Sequence, residues 1–185
     1  MLLGGIFIAN GYEEIILPSL WEQQTFKDKA GPEILNQMWT FQDKGNRDVC
    51  LIPEATGVIQ ELYNKEWKAV PKPIRLFYVS RCYRYDRPQE GRYREFTQVG
   101  VECLGGKDNK DEVIKLLTGC LDLFKINYKL VPLVKRGLAY YLEDGFEVEC
   151  ESLGAQKQIA GGGKYNEGIG WAIGLDRLLL AKAKQ

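Results

Sequence analysis

Two stretches of alternating polarity dominate the chain. One runs from Leu76 through Tyr78 to Cys82; the other, from Phe96 to Leu104, alternates Phe96, Gln98, Gly100 and Glu102 with Thr97, Val99, Val101 and Cys103. Period-two patterns of this kind predict strands over 76–84 and 96–104. The short Pro-Gln-Glu-Gly turn between them makes the pair antiparallel. A half-buried sheet puts an apolar face inward and a polar face outward. Here the face of Phe96, Gln98, Gly100 and Glu102 carries a ring, an amide, a bare backbone and a carboxylate, which suits a ligand-binding floor. Five arginines (Arg81, Arg84, Arg87, Arg92, Arg94) crowd the turn. Their mutual repulsion is relieved by a shared anionic ligand, while a solvated basic loop is the plainer alternative.

The remaining pattern fills in around this hairpin. Leu2 to Ala9 reads as the end of a buried helix stopped by Asn10-Gly11, and Tyr12 to Leu17 as a short edge strand ended by Pro18. Ser19 to Leu35 is polar with a weak helical period. Met38–Phe41 and Val49–Ile52 flank a glycine-tipped turn as a second hairpin. Pro53-Glu54-Ala55-Thr56 opens an amphipathic helix to about Tyr63, where Glu54 and Thr56 could be no more than capping residues. A helix over Glu112–Phe124 buries Val113, Leu116, Leu117, Leu121 and Phe124. Strands follow at 126–134, 146–149 and 158–160. The three glycines of Gly161-Gly-Gly-Lys-Tyr165 fit a close approach to a ligand or a tight turn. A glycine-rich strand from Gly168 then feeds a helix ending at Ala183. The sum is one α/β (α+β) domain over 1–185, with a mostly antiparallel sheet of about six strands flanked by helices; the strand–helix alternation of doubly wound folds is absent.

Composition narrows the chemistry. With 185 residues, 45% hydrophobic and 27% charged, the chain is a globular domain with room for a core. Lys+Arg and Asp+Glu stand at 25 each, so nucleic acid would have to be met by a local patch. Five scattered cysteines without a Cys-x-x-Cys pair point to reduced thiols in a cytoplasmic setting. The chain has no histidine, which removes Ser-His-Asp hydrolysis and imidazole base catalysis. Met1 to Ala9 is too short to span a membrane and unlike a signal peptide.

The run Arg84-Tyr-Asp-Arg-Pro-Gln-Glu-Gly-Arg-Tyr-Arg-Glu-Phe-Thr-Gln-Val-Gly-Val-Glu102 resembles motif 2 of the class II aminoacyl-tRNA synthetases, in the form found in histidyl-tRNA synthetases. Weaker likeness extends along the chain. Gly11 to Pro18 resembles the strand and proline of motif 1, placing a motif 1 remnant at 1–18. Motif 2 occupies 75–105, and Arg136-Gly-Leu-Ala-Tyr-Tyr141 resembles the histidine signature with Ala139 in place of Asp. Gly168 to Ala183 resembles motif 3. The family's insertion would fall within Lys125–Arg136 and its anticodon-binding domain after motif 3; neither is found in this sequence.

The resemblance implies the class II fold and a set of roles. Arg84 and Arg136 would act on the α-phosphate of ATP, and Arg92 and Arg177 on the outer phosphates with Mg²⁺ carried by ATP. Phe96 would stack on adenine under Arg177, and Asp86, where the family has Glu, would meet its amino group. Glu54, Thr56 and Gln98 would hold the histidine ammonium and its surroundings. Glu102 would accept from the imidazole, Tyr140 or Tyr141 would reach its other nitrogen, and Tyr165 would close the pocket. The family also implies a homodimer through Leu2 to Pro18, which would cover Leu2, Leu3, Ile6, Phe7 and Ile8. Two functions stay open: activation of histidine to histidyl-adenylate, with the acceptor end of tRNA as one recipient, or a silent histidine-binding regulatory subunit of the histidine biosynthesis type. The retained arginines favour the first; Ala139 and Asp86 favour the second. The sequence fits a compact natural chain and a core cut from a longer enzyme equally.

Overall fold

The structure is a computed structural model that describes residues 2–29, 31–106, 109–135 and 137–185. In chain order the elements are α1 (Leu2–Ala9), β1 (Glu13–Glu14), β2 (Leu20–Glu22), α2 (Gln23–Lys29), α3 (Pro32–Gln37), β3 (Thr40–Gln42), β4 (Asp48–Leu51) and α4 (Thr56–Leu62), which runs on as a π-helical turn, Tyr63–Trp67. Then come β5 (Ile74–Tyr83), β6 (Glu95–Leu104), α5 (Lys110–Leu123), β7 (Lys129–Val134), β8 (Gly145–Glu149), a 3-10 helix (Glu151–Gln156), β9 (Gln158–Tyr165), β10 (Gly168–Gly174) and α6 (Leu175–Ala183).

Seven strands form one sheet in the order β1-β5-β6-β10-β9-β8-β7, and β2-β4-β3 form a second, small sheet. The central hairpin pairs antiparallel as its pattern requires, from Ile74↔Leu104 to Tyr83↔Glu95. Among the described residues only the two-residue β1 runs parallel, beside β5. The expected six strands are therefore seven plus a separate three. The strand expected over Tyr12–Leu17 shrinks to Glu13–Glu14, with one more bond from the Ile15 amide to the Phe77 carbonyl (2.9 Å). Beyond it Ile16 is 88% exposed, and Pro18 has no amide to continue a ladder.

The weakly helical Ser19–Leu35 also divides differently. Its first residues become β2, recruited by β4 through Leu20↔Leu51 and Glu22↔Val49, a case of pairing overriding local preference. The three glycines at 161–163 lie inside β9 and not after it. A Cβ on Gly162 would stand 2.3 Å from the Gly170 carbonyl oxygen and 2.8 Å from the Phe146 ring, so a bare backbone is what lets β9 pack there.

The two faces of the large sheet have different fates. One is sealed by α1, α5 and α6: Val99, Val101 and Cys103 of β6 meet Val113, Leu117 and Leu121 of α5 and Leu178 of α6. Trp171 fills the middle of this core and donates its indole N–H to the Val113 carbonyl at 2.8 Å. Leu3 and Phe7 are buried in the same core, at 1% and 0% exposure, so they do not form the expected open apolar patch; of that set Ile8 is exposed. On the other face α4 covers only one end, where Ala55 and Ile59 rest on Leu76, Tyr78, Leu104 and Tyr165. The rest is left open. Among the described residues, all five cysteines are free and buried, and no helix is long and apolar enough to cross a membrane.

Candidate active site

The uncovered half of the sheet floors a cavity of about 540 Å³. Arg84, Asp86, Arg92 and Phe96 reach it from the β5–β6 hairpin, and Gln98 from β6. Glu54 and Thr56 enter from the start of α4, Tyr140 and Tyr141 from the turn before β8, and Arg177 from α6. Ten expected site residues, drawn from distant parts of the chain, thus line one space. Glu102 and Tyr165 do not line it; they lie just beneath, 0% and 1% exposed. Arg136 lies outside the described residues.

One end of the cavity is cationic. Arg177 donates to three neutral oxygens: the Gly91 carbonyl (2.6 Å), the Gln158 carbonyl (2.9 Å) and Oε1 of Gln156 (3.1 Å). Burial, together with the charges of Arg92 and Arg84, lowers the pKa of Arg177. Arg92 donates to the same Gln156 oxygen at 3.1 Å and meets Asp86 at 3.3 Å. Arg84 donates to the Pro53 carbonyl at 2.9 Å, and its guanidinium lies 5.3 Å from the centre of the Phe96 ring. Local partners quiet two other arginines of the hairpin. Arg81 faces Glu95 at 3.6 Å, and Arg94 sits over Tyr85 at 4.3 Å. Repulsion among the hairpin arginines is therefore partly met inside the protein, Arg92 included through Asp86, while Arg84 and, from α6, Arg177 hydrogen-bond only to neutral oxygens among the described residues.

The other end is carboxylic and buried. Glu54 accepts from the Gly57 amide (2.9 Å) and the Tyr140 hydroxyl (3.3 Å), and burial raises its pKa. The first of these bonds is a capping bond, so the capping reading of Glu54 is correct as far as it goes. Its second oxygen faces the cavity side through Tyr140. Glu102 accepts from Thr56 at 2.6 Å and from Tyr165 at 2.5 Å. Burial pushes Glu102 up to about 8, although both hydroxyls act to lower it. The Tyr140 ring lies tilted against that of Tyr141 at 4.7 Å and meets Tyr165 edge-on at 5.9 Å, and Tyr141 forms an isolated bridge with Tyr165. Burial holds the hydroxyls of Tyr140 and Tyr165 well above the ordinary tyrosine range, so both remain proton donors.

Sequence reasoning missed several contributors. Gly170 pairs directly with Glu102, and a Cβ there would lie 1.7 Å from the Glu102 carboxylate. The signal was available: Gly168 and Gly170 stand at period two on a strand, marking a face that needs room. Gln156, on the 3-10 helix, had no such signal. Glu147 and Glu149 of β8 also line the cavity, held by Gln158 (3.1 Å) and Lys157 (2.9 Å). Among the described residues, no three acidic, cysteine or histidine side chains gather as a ready metal site.

A profile described as histidyl-tRNA synthetase matches residues 2–133. The histidine–tRNA ligase of Methanosarcina acetivorans is 30% identical over 277 residues, covering 91% of this chain and 67% of the relative. An alignment that long on a chain of 185 residues means that the relative carries residues inside the matched span that this chain lacks. Other curated histidine–tRNA ligases are matched over as little as 22% of their length. Among solved structures, apo histidyl-tRNA synthetase from S. aureus superposes with a TM-score of 0.80 at 26% identity, over 99% of this chain and 64% of that one. A protein from Bacillus halodurans C described as an ATP phosphoribosyltransferase regulatory subunit/histidyl-tRNA synthetase gives the same TM-score at 18% identity, over 97% and 76%, so backbone shape alone does not separate enzyme from regulatory subunit. With its class II hairpin, its mostly antiparallel sheet and a matching profile over most of its length, the chain belongs to the histidyl-tRNA synthetase family.

Proposed function

We propose that this chain, as one catalytic domain, activates histidine with ATP to give histidyl-adenylate. The observation that carries the reading is the polarity of this cavity: at one end Arg84 and Arg177 on neutral oxygens with Arg92 beside them, at the other buried carboxylates. A histidine carboxylate oxygen attacks the α-phosphorus of ATP, the bond from that phosphorus to the bridging oxygen breaks, and pyrophosphate leaves with the electron pair. The protein removes no proton, so the chemistry needs no histidine side chain. Rate comes from positioning and from charge placed where it grows.

Arg84 is the hinge of this arrangement. Burial raises the Glu54 pKa and the charge of Arg84 partly opposes it, so Arg84 stands between the two ends, where it would serve the substrate carboxylate and the α-phosphate together. By family likeness Arg136 approaches the same phosphate. Arg92 and Arg177 take the outer phosphates, and Phe96 offers adenine a face, with Asp86 near its amino group. Glu54 receives the histidine ammonium, with Thr56 and Gln98 as polar neighbours. Glu102 serves the imidazole from beneath, through the hydroxyl shell of Thr56 and Tyr165, while Tyr140 or Tyr141 bonds the second nitrogen. Mg²⁺ bound to the triphosphate would neutralise phosphate charge; Glu147 and Glu149, alternate residues on one face of β8 among the lining carboxylates, could meet a cation arriving with its phosphate ligands. A cytoplasmic homodimer and delivery to the acceptor end of tRNA follow by family.

One specific observation favours a second reading, a histidine-binding regulatory subunit: Ala139 stands where the family's signature has Asp. ATP–pyrophosphate exchange against the twenty amino acids separates the two. Exchange with histidine alone supports the enzyme; histidine binding without exchange supports the regulatory protein and contradicts the proposal.

A further inference from the structure

The 3-10 helix Glu151–Gln156 contains a kink at Gly154, with φ 61° and ψ −128°, a conformation that only glycine adopts readily. Two residues later the side chain of Gln156 enters the cavity wall between two guanidinium groups. Its Oε1 accepts from Nε of Arg92 and from a terminal nitrogen of Arg177, each at 3.1 Å. These arginines come from different elements that meet at one end of the site, one from the β5–β6 turn and one from α6. Arg177 also grips the turn itself through the Gly91 carbonyl at 2.6 Å. Facing two donors, the amide must present its oxygen, so the assignment follows from chemistry.

We propose that Gln156 is a positioning residue that yokes Arg92 and Arg177 into a fixed fork for a polyphosphate without itself neutralising either charge. A neutral acceptor is the essential choice. It fixes direction through two hydrogen bonds without neutralising either cation. A carboxylate of similar shape would hold the fork at least as firmly, since charge-assisted bonds are stronger, but it would occupy the charge that the ligand needs. Among the described residues Arg177 has only neutral oxygens as hydrogen-bond partners. The one carboxylate paired with the fork, Asp86 on Arg92, sits at its more exposed side. The inference deepens the ATP reading and rests on it for the identity of the ligand, while the yoke itself concerns any polyphosphate.

The test is calorimetric titration of the full chain with inorganic tripolyphosphate, with histidine and ATP titrated separately, in wild type, Q156E and Q156A. Wild type should bind tripolyphosphate. Q156E should keep or raise the melting temperature yet bind tripolyphosphate about tenfold or more weakly, because one negative charge now sits between the two cations. Q156A, which loses the yoke without adding charge, should weaken binding by roughly threefold, as for loss of one ordinary hydrogen-bonding partner. Histidine affinity should stay within about twofold in both, its carboxylates being at the other end. A purely structural Gln156 predicts the opposite ranking, with Q156E tolerated and Q156A the worse. Q156E binding tripolyphosphate like wild type, no binding by wild type, or equal loss of histidine binding would each overturn the proposal. Tripolyphosphate binding without ATP binding would remove the adenylate reading and leave the yoke standing.

Discussion

At one end of the cavity Arg177 and Arg92 stand partly exposed; at the other Glu54 and Glu102 are almost wholly buried. The surroundings differ, yet the partners are alike in kind. The guanidiniums of Arg84 and Arg177 rest on carbonyl and amide oxygens, and the carboxylates on hydroxyls and one backbone amide. No carboxylate from the buried end reaches an arginine from the open end as an ion pair among the described residues. A full ion pair would satisfy both groups and leave nothing for a ligand. Neutral partners fix direction and keep the charge available.

Burial makes the difference between the ends. A guanidinium keeps its proton even when its pKa is lowered, so the open end remains cationic across the ordinary pH range. A buried carboxyl is free to take up a proton instead. Glu102, pushed up to about 8, should be largely neutral at pH 7 in the free protein, and a cationic or hydrogen-bonding ligand would draw it toward the charged form. The open end is thus ready before its ligand arrives, while the buried end responds to it.

The comparison breaks most sharply at Arg84, which belongs to both ends. Arg84→Ala should lower histidine-dependent exchange a hundredfold or more, about 3–4 kcal/mol of lost transition-state stabilisation, and Arg136→Ala should match it by family likeness. Near-normal exchange in either would make that arginine a bystander.

Gly170→Ala isolates the buried end. Its new methyl would overlap the Glu102 carboxylate, so either Glu102 or β10 must shift. We expect a loss of about 1–3 kcal/mol in urea unfolding and loss of histidine binding, with tripolyphosphate binding retained. Unchanged histidine affinity would remove Glu102 from the substrate site.

A gentler probe is pH. Glu102 is protonated in the native protein up to about 8, but in the unfolded chain it releases its proton near 4.5. Its contribution to stability is therefore full below 4.5 and is lost by the time the pH has passed 8. Wild type should lose on the order of 4 kcal/mol more than Glu102→Gln between pH 5 and pH 8 in equilibrium unfolding. Parallel curves for the two proteins would mean that Glu102 titrates normally.

Much of this was legible along the chain because it is local. The 96–104 alternation set both the strand and its cavity-side face, and the α5 period set the buried stripe of Val113, Leu117 and Leu121. What could not be read was pairing between distant segments. Leu20–Glu22 is a strand because β4 lies beside it, and Gly161–Gly163 is strand because β8 and β10 flank it. The site divided in the same way. Likeness to motifs 2 and 3 marked Arg84, Arg92 and Arg177 in advance, whereas Gln156 acquires its place only when α6 and the hairpin turn meet around it. Burial, too, is a property of the fold: nothing in its spacing placed Glu102 beneath the cavity and Gln98 within it.

If the cavity works as it is charged, its two ends act separately on two ligands, and the Michaelis constants of ATP–pyrophosphate exchange in Arg177→Ala and Glu54→Gln will show it. A crossed pattern is predicted: Arg177→Ala raises the constant for ATP by about tenfold or more and leaves that for histidine nearly unchanged, while Glu54→Gln does the reverse. If both variants raised both constants together, the ends would not be distinct.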